Sequence, residues 1–162
     1  MIHVSILFVI MALIWKFWKV DSRKINLYQV QWSGIILRLL LLFCLPNLSD
    51  DYFRFLWDGS NFTEYLINPY LNLPSEIIGP ESTEYYKILF NEMNSQNYYS
   101  VYPPLDQFIF SISTFLFPYD IFFQVLFIKF VLLVAEGITI FYLPKLLSIL
   151  HLNPSLSILY IL

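Results

Sequence analysis

The 162-residue sequence has a single cysteine, four glycines and two histidines, and only 13% of its residues are charged. A disulfide needs two cysteines, so the chain is not a disulfide-stapled domain, and we expect the lone Cys44 to be a small buried hydrophobe. Cysteine-based zinc sites are excluded for the same reason. The net charge of −3, with no basic stripe, argues against a nucleic-acid partner.

Apolar and aromatic side chains are abundant instead. The chain is 58% hydrophobic and 20% aromatic, and its mean hydropathy is +0.64. Soluble globular domains are about 45–50% apolar and about 25% charged. These departures exclude intrinsic disorder and predict an all-α membrane protein, a multi-span transmembrane helix bundle.

Apolar runs place the candidate spans at residues 2–18, 28–45, 104–117, 121–143 and 156–162. A span needs about 20 residues, so 104–117 is short with its orientation left open, and 156–162 is incomplete. We therefore expect residues 1–162 to be the N-terminal membrane portion of a larger domain. Basic residues between the first two spans predict that this connector is cytoplasmic.

The segment 47–104 differs from the spans, with eight acidic and two basic residues and many aromatic ones. Its charge places it on the extracytoplasmic side. Cap signals predict short amphipathic helices at Asp51–Leu66 and Ser82–Met93. We therefore expect an outer loop built from short helices.

Three charged residues lie inside the predicted spans. Arg38, in the second span, is expected to snorkel, to form a pair or to face the protein interior. Lys129 and Glu136 are seven residues apart on one face of span 121–143. This spacing is consistent with a polar contact inside a bundle or with a plain structural pair.

Two adjacent carboxylates, Asp50 and Asp51, follow the second span at the predicted membrane surface. There they must be solvated, paired or metal-bound, or they serve as helix caps. On a helix, Asp51, Arg54 and Asp58 share one face beside aromatic residues. Such a face fits an interfacial amphipathic helix or a sugar-phosphate site, where arginine binds phosphate and a carboxylate accepts a proton.

Three sequence blocks carry a family resemblance. They are Ser49-Asp50-Asp51-Tyr52-Phe53-Arg54-Phe55-Leu56-Trp57-Asp58-Gly59, Ile67-Asn68-Pro69-Tyr70 and Val101-Tyr102-Pro103-Pro104-Leu105-Asp106-Gln107. In order and spacing they resemble bacterial integral-membrane glycosyltransferases of the GT-C class, in particular the polyprenol-phosphate-mannose-dependent mannosyltransferase-like group. The resemblance covers about residues 28 to 162. The chain departs from the family at Phe55, where a tyrosine is usual, at Leu66, where a glycine is frequent, and in having fewer spans.

The resemblance implies transfer of a hexose, with mannose expected, from a polyprenyl-phosphate-linked donor. The acceptor would be a glycan, a lipid or a protein, at the outer face of the cytoplasmic membrane. Asp51 is implied as the catalytic carboxylate, with Asp50 as the second candidate. The implied substrate-binding residues are Arg54, Trp57, Asp58, Asn68, Tyr70, Tyr102 and Gln107. Some family members use a divalent cation, which Asp50 and Asp51 could bind through oxygen, but no third protein carboxylate is identifiable.

Other interpretations stay open at this point. The chain could be an inactive fragment of the enzyme, or a non-enzymatic membrane subunit whose aromatic loop only packs at the interface. A transporter would need more polar residues at membrane depth or an internal repeat. The glycosylation acceptor pattern Asn61-Phe62-Thr63 falls inside the proposed site helix, so we expect it to be a chance match.

Overall fold

A computed structural model describes residues 26–46 and 49–161 of the chain, so the predicted span 2–18 lies outside the described residues. The described residues form helices and no strand, which confirms the all-α class for this part. The helices are α1 (Leu27–Leu42), α2 (Asp51–Tyr65), α3 (Pro74–Ile77), α4 (Glu84–Glu92), α5 (Pro104–Leu116), α6 (Ile121–Ile149) and α7 (Ile158–Ile161), and a 3₁₀ turn covers Pro154–Ser157. The chain divides into two compact units, Met1–Ile36 with Thr139–Leu162, and Leu37–Ile138.

One described helix, α6, is long and apolar enough to cross a membrane. Its 29 residues extend about 44 Å, against a hydrocarbon core of about 30 Å. Helix α6 begins at the predicted residue and continues six residues past the predicted end at 143. The apolar helices α1 and α5, of 16 and 13 residues, are shorter than the about 20 residues of a span. The multi-span arrangement therefore stays a prediction.

Within the first unit, helix α6 continues through Pro144 because the side chain of Gln31 supplies the hydrogen bond that the proline nitrogen cannot. Proline has no N–H, so the carbonyl of Ile140, four residues earlier, loses its helical partner. The amide Nε2 of Gln31 donates to that carbonyl at 2.8 Å. Gln31, Ile140 and Pro144 are all buried, so the carbonyl is satisfied away from solvent and the helix is not forced to end.

The second unit has an aromatic core built by α2, α4, α5 and the start of α6. Its buried members are Leu56, Trp57, Tyr85, Tyr86, Leu89, Met93, Phe110, Val125 and Ile128. Helices α2 and α4 confirm the two predicted amphipathic helices, with ends within two residues of the expected ones. The hydroxyl of Thr83 caps α4 by accepting from the backbone N–H of Tyr86, as a threonine at the N-cap should.

Helices α2 and α5 cross closely at Gly59. A Cβ on Gly59 would lie 2.5 Å from the carbonyl oxygen of Phe110, a backbone atom that cannot swing aside. Beyond the crossing, the hydroxyls of Thr63 and Thr114 lie 3.3 Å apart, joining the same two helices. The glycine therefore sets the distance between α2, which carries most of the first sequence block, and α5, which carries the end of the third.

We predict that Gly59→Ala destabilises the protein by about 1–3 kcal/mol, because the added methyl overpacks the crossing. Gly79→Ala is the matched control, since a Cβ at Gly79 meets nothing within 4 Å. That substitution should leave stability unchanged or raise it by up to about 1 kcal/mol. Denaturant unfolding of both variants in detergent measures the difference, and equal midpoints would contradict the close crossing.

The charged residues of α1 and α6 join the two helices. Glu136 accepts a hydrogen bond from Arg38 at 2.9 Å, so the pairing expected of Arg38 is confirmed. The ammonium of Lys129 donates to the carbonyls of Leu41 and Cys44, at 2.7 and 2.5 Å, at the end of α1. Glu136 and Lys129 thus contact α1 and the residues just after it, in line with the polar contact that their spacing allowed. Seven residues, about 10 Å of helix, separate the two along α6.

Cys44 also differs from expectation, because it is exposed rather than buried. It lies two residues after Leu42, the last residue of α1, where the backbone leaves the helix before Pro46. Proline disfavours helical geometry in the residue that precedes it. The apolar run therefore ends as a helix before it reaches the predicted boundary at 45.

Candidate functional site

The two adjacent carboxylates begin helix α2, and they differ in environment. Asp51, the first residue of α2, is half-buried, and its Oδ1 accepts a hydrogen bond of 3.3 Å from the side-chain amide of Asn94. Asp50 is exposed and makes no side-chain cap bond. The Oγ of Ser49 accepts from the backbone N–H of Asp51 instead. Asp51 is therefore the oriented carboxylate of the pair, and it keeps access to the surface.

Tyr102, from the third sequence block, lies within the electrostatic field of the α2 charges. Burial, and then the carboxylate of Asp51, raises the pKa of Tyr102, while Arg54 lowers it and Asp58 raises it further. The ring of Tyr102 meets Phe55 edge-on, with ring centroids 4.9 Å apart. The fold thus brings the first and third blocks together around Asp51.

Arg54 and Asp58 form an ion pair inside the second unit rather than an exposed polar face. The Nε of Arg54 donates to Oδ1 of Asp58 at 2.7 Å, and the two side chains are 2% and 0% exposed. The Nη1 of Arg54 also donates to the carbonyls of Ser95 and Tyr98, both at 2.8 Å. An interfacial helix with an exposed charged face does not fit this burial.

The resemblance implies that Arg54 either binds the donor phosphate or orients the carboxylate, and these contacts favour the second role. A guanidinium that is 2% exposed has no surface for a donor phosphate, so direct phosphate binding is corrected. Its carbonyl partners lie in the segment that follows Asn94, the residue bonded to Asp51. Arg54 therefore holds the segment that carries Asn94, the hydrogen-bond partner of Asp51.

Gln107 continues the buried network from Asp58. Its Nε2 donates to Oδ2 of Asp58 at 2.9 Å and to Oγ of Ser100 at 2.7 Å. Both oxygens of the Asp58 carboxylate are therefore engaged, one by Arg54 and one by Gln107. The chain Arg54–Asp58–Gln107–Ser100 links α2, α5 and the segment before α5, so the first and third sequence blocks share one hydrogen-bond network.

The second block is fastened to the third by its loop. The hydroxyl of Tyr70 donates to the carbonyl of Tyr102 at 2.5 Å, and the backbone N–H of Ser100 donates to the carbonyl of Pro69 at 3.1 Å. The side chain of Asn68 accepts from the backbone N–H of Tyr70, closing a tight turn. The loop is thus fixed against the residues that precede α5, and the substrate-binding role implied for Asn68 and Tyr70 stays a prediction.

Trp57 does not line an open pocket. Its side chain is fully buried and packs on Tyr86, with ring centroids 4.3 Å apart, and on Phe90. The role implied for Trp57 and Asp58, contact with a sugar, is therefore corrected, since neither side chain reaches the surface. Asp58 accepts hydrogen bonds from Arg54 and Gln107. Trp57 holds α2 against α4 by packing on Tyr86 and Phe90.

Two buried tyrosines anchor α4 to its neighbours. The hydroxyl of Tyr85 donates to Oε1 of Gln124 at 2.7 Å, and burial raises the pKa of Tyr85 from 10.0 to about 12. The hydroxyl of Tyr86 donates to Oδ1 of Asn61, whose side chain is 1% exposed. An asparagine in that position cannot carry a glycan in the folded protein, which fits the interpretation of Asn61-Phe62-Thr63 as a chance match.

A divalent cation at Asp50 and Asp51 stays a prediction. Among the residues that the structure describes, no three histidine, cysteine, aspartate or glutamate side chains come together. If a cation binds there, the described part of the chain would offer the carboxylates of Asp50 and Asp51, and water or substrate phosphate would complete the shell, as is usual for magnesium.

Asn94, Ser95, Tyr98 and Ser100 were not predicted from the sequence, although they hold Asp51, Arg54 and Gln107. They lie in a polar segment after α4 that includes a turn at residues 96–97, closed by the backbone N–H of Tyr98 donating to the carbonyl of Ser95. The sequence gives no signal for these contacts, because the need of Arg54 for several acceptors follows from its burial. Comparison of the chain with protein-family models, with curated proteins and with solved structures found no match.

Proposed function

We propose that the chain belongs to a membrane-embedded glycosyltransferase. It transfers a hexose from a polyprenyl-phosphate-linked donor to a hydroxyl of a glycan, lipid or protein acceptor. The hexose we expect is mannose. The reaction takes place at the outer interface of the cytoplasmic membrane, with segment 47–104 outside and several spans in the bilayer.

One observation carries the proposal, namely the environment of the Asp51 carboxylate. It is oriented by Asn94, accessible to solvent, and placed at the start of a helix that follows an apolar helix by eight residues. A polyprenyl donor cannot leave the bilayer, so its phosphate lies at the interface. A carboxylate that follows an apolar helix by only eight residues would lie close to that phosphate.

The proposed step is a direct displacement at the anomeric carbon. Asp51 takes the proton of the acceptor hydroxyl, whose oxygen forms the new bond to the anomeric carbon. The bond from that carbon to the phosphate oxygen breaks, and polyprenyl phosphate leaves with the electron pair. Buried Arg54 and Asp58 keep the Asn94 segment in place, so that the carboxylate does not reorganise during the reaction.

The donor class provides the test. The chain, purified and reconstituted in vesicles, is given radiolabelled polyprenyl-phosphate mannose and, separately, nucleotide-linked mannose, each with a short mannoside acceptor. We expect label to move to the acceptor only from the polyprenyl donor. Transfer from the nucleotide donor alone would contradict the proposal, and absence of transfer from both would favour the inactive-fragment alternative.

A further inference from the structure

A charged cavity of about 250 Å³ lies in the second unit, between the end of α1 and the middle of α6. Its described lining combines three charged residues, Arg38, Lys129 and Glu136, with leucines that include Leu41 and Leu132. The side chains of Arg38 and Glu136 are 26% and 42% exposed, and Lys129 is half-buried, so a ligand can reach these groups. No described residue of segment 47–104 lines the cavity, which is therefore separate from the candidate catalytic carboxylate.

The charges of this cavity do not cancel. Arg38 and Glu136 form an ion pair with each other, at 2.9 Å. The ammonium of Lys129 donates instead to two carbonyls at the end of α1, and no carboxylate in the described part of the chain forms an ion pair with it. The carbonyl dipoles stabilise the ammonium but carry no net charge. Two cations and one anion thus leave the described lining with one positive charge in excess.

This charge lies within α6, the described helix that is long and apolar enough to cross a membrane. Lys129 is the ninth residue of α6, about 12 Å of helix from its start. A charged side chain inside a span is costly unless it is paired. Basic pockets between transmembrane helices bind anionic lipid head groups for this reason. A ligand that brings one negative charge would complete the charge balance of the cavity.

The leucines beside Lys129 favour a lipid over a soluble anion. Leu41 and Leu132 are 63% and 57% exposed, and an acyl chain would cover them. A free phosphate would lose its hydration on entering the cavity and leave the leucines uncovered. An ammonium has three donors, and the carbonyls at the end of α1 use two of them, so a phosphate oxygen can accept the third.

We propose that this cavity binds an anionic glycerophospholipid, with a phosphate oxygen accepting a hydrogen bond from Lys129 and an acyl chain covering Leu41 and Leu132. The lipid is a component of the surrounding bilayer and not the mannosyl donor, whose phosphate would lie close to Asp51. The inference rests on α6 lying in a bilayer and not on the transferase activity. A chain that binds the lipid here without any transfer activity would count against the proposed function only.

The test is native mass spectrometry of the whole chain in detergent, with phosphatidylglycerol or phosphatidylcholine of identical acyl chains added. Both lipids carry a phosphodiester, but choline cancels its charge, so the comparison isolates the negative charge. We expect phosphatidylglycerol to bind about fivefold more tightly, the effect of one basic residue near a lipid head group. Glycerol 3-phosphate, which has no acyl chain, should not displace it at equal concentration.

Three variants make the result specific. Lys129→Gln should abolish the preference for phosphatidylglycerol, because the amide can still donate to a carbonyl of α1 but carries no charge. The matched control is Lys145→Gln, which removes a positive charge from the same helix outside the described lining and should keep the preference. Glu136→Gln keeps an acceptor for Arg38 but removes the negative charge, so it should raise the preference by about another fivefold. If Lys129→Gln fails to fold, Glu136→Gln carries the test, because a gain in preference does not arise from a damaged fold.

Several results would each overturn the inference. They are equal affinities of the wild-type chain for the two lipids, equal preferences in the Lys129 and Lys145 variants, and an unchanged or lower preference in Glu136→Gln. Displacement of phosphatidylglycerol by glycerol 3-phosphate would assign the cavity to a soluble anion. Tighter Lys129-dependent binding of polyprenyl-phosphate mannose than of phosphatidylglycerol would assign it to the donor.

Discussion

In the proposed transferase, Asp51→Asn is expected to lower the rate of mannosyl transfer by about 10²–10⁴-fold, the contribution of a positioned general base. An amide cannot take the proton of the acceptor hydroxyl, yet it has the size of the carboxylate and can still accept from Asn94. Binding of the donor should change little, because the lost interaction forms only as the proton moves. Single-turnover transfer from polyprenyl-phosphate mannose measures the effect separately from product release.

Two further variants make this result specific. Glu84→Gln neutralises a carboxylate at the corresponding position of another helix, since Glu84 is the exposed first residue of α4, and it should keep wild-type activity. Asp50→Asn should lose much less activity than Asp51→Asn. Near-normal transfer by Asp51→Asn would remove Asp51 from the role, and a large loss in Asp50→Asn alone would move the role to Asp50.

Arg54→Met is expected to destabilise the protein by about 3–5 kcal/mol, because it leaves Asp58 buried without its counter-charge. The carbonyls of Ser95 and Tyr98 also lose their donors. Arg54→Lys should recover only part of the loss, since a single ammonium cannot reproduce the fork that reaches all three partners. Denaturant unfolding in detergent, followed by tryptophan fluorescence, measures the free energy of unfolding.

The double variant Arg54→Met with Asp58→Leu separates the ion pair from simple packing. Removal of both charges leaves no uncompensated buried charge, so the double variant should be more stable than Arg54→Met alone. A change below about 1 kcal/mol in Arg54→Met, typical of exposed pairs, would contradict the buried network. A normal stability together with a raised KM for the donor would restore Arg54 as a phosphate ligand.

The local parts of this fold were predictable because their signals are local. Proline and cap residues marked the starts of α2, α4 and α5 to within two residues, since they act on the backbone immediately beside them. Hydropathy located α6 for the same reason. The end of α6 was missed because continuation through Pro144 depends on Gln31, more than one hundred residues earlier in the chain.

The candidate site was predictable in its residues but not in its burial. Spacing placed Asp51, Arg54 and Asp58 on one face of a helix, and this is correct. Whether that face meets water or protein depends on the acceptors in the segment 94–100, about 40 residues later. Sequence periodicity shows which residues share a helix face but not whether water or protein covers that face. For this reason Arg54 and Trp57 were expected at a substrate surface, whereas the structure buries both in the core.

The burial of Asn61 has a consequence for producing the chain in a eukaryotic secretory system. The tripeptide Asn61-Phe62-Thr63 is open to the glycosylation machinery only while the side chain is not yet held by Tyr86. A sugar attached at that moment cannot be accommodated in the closed core. A glycan on Asn61 would therefore mark the molecules in which this tripeptide met the glycosylation machinery while the core was still open, and its yield would report how quickly that core closes.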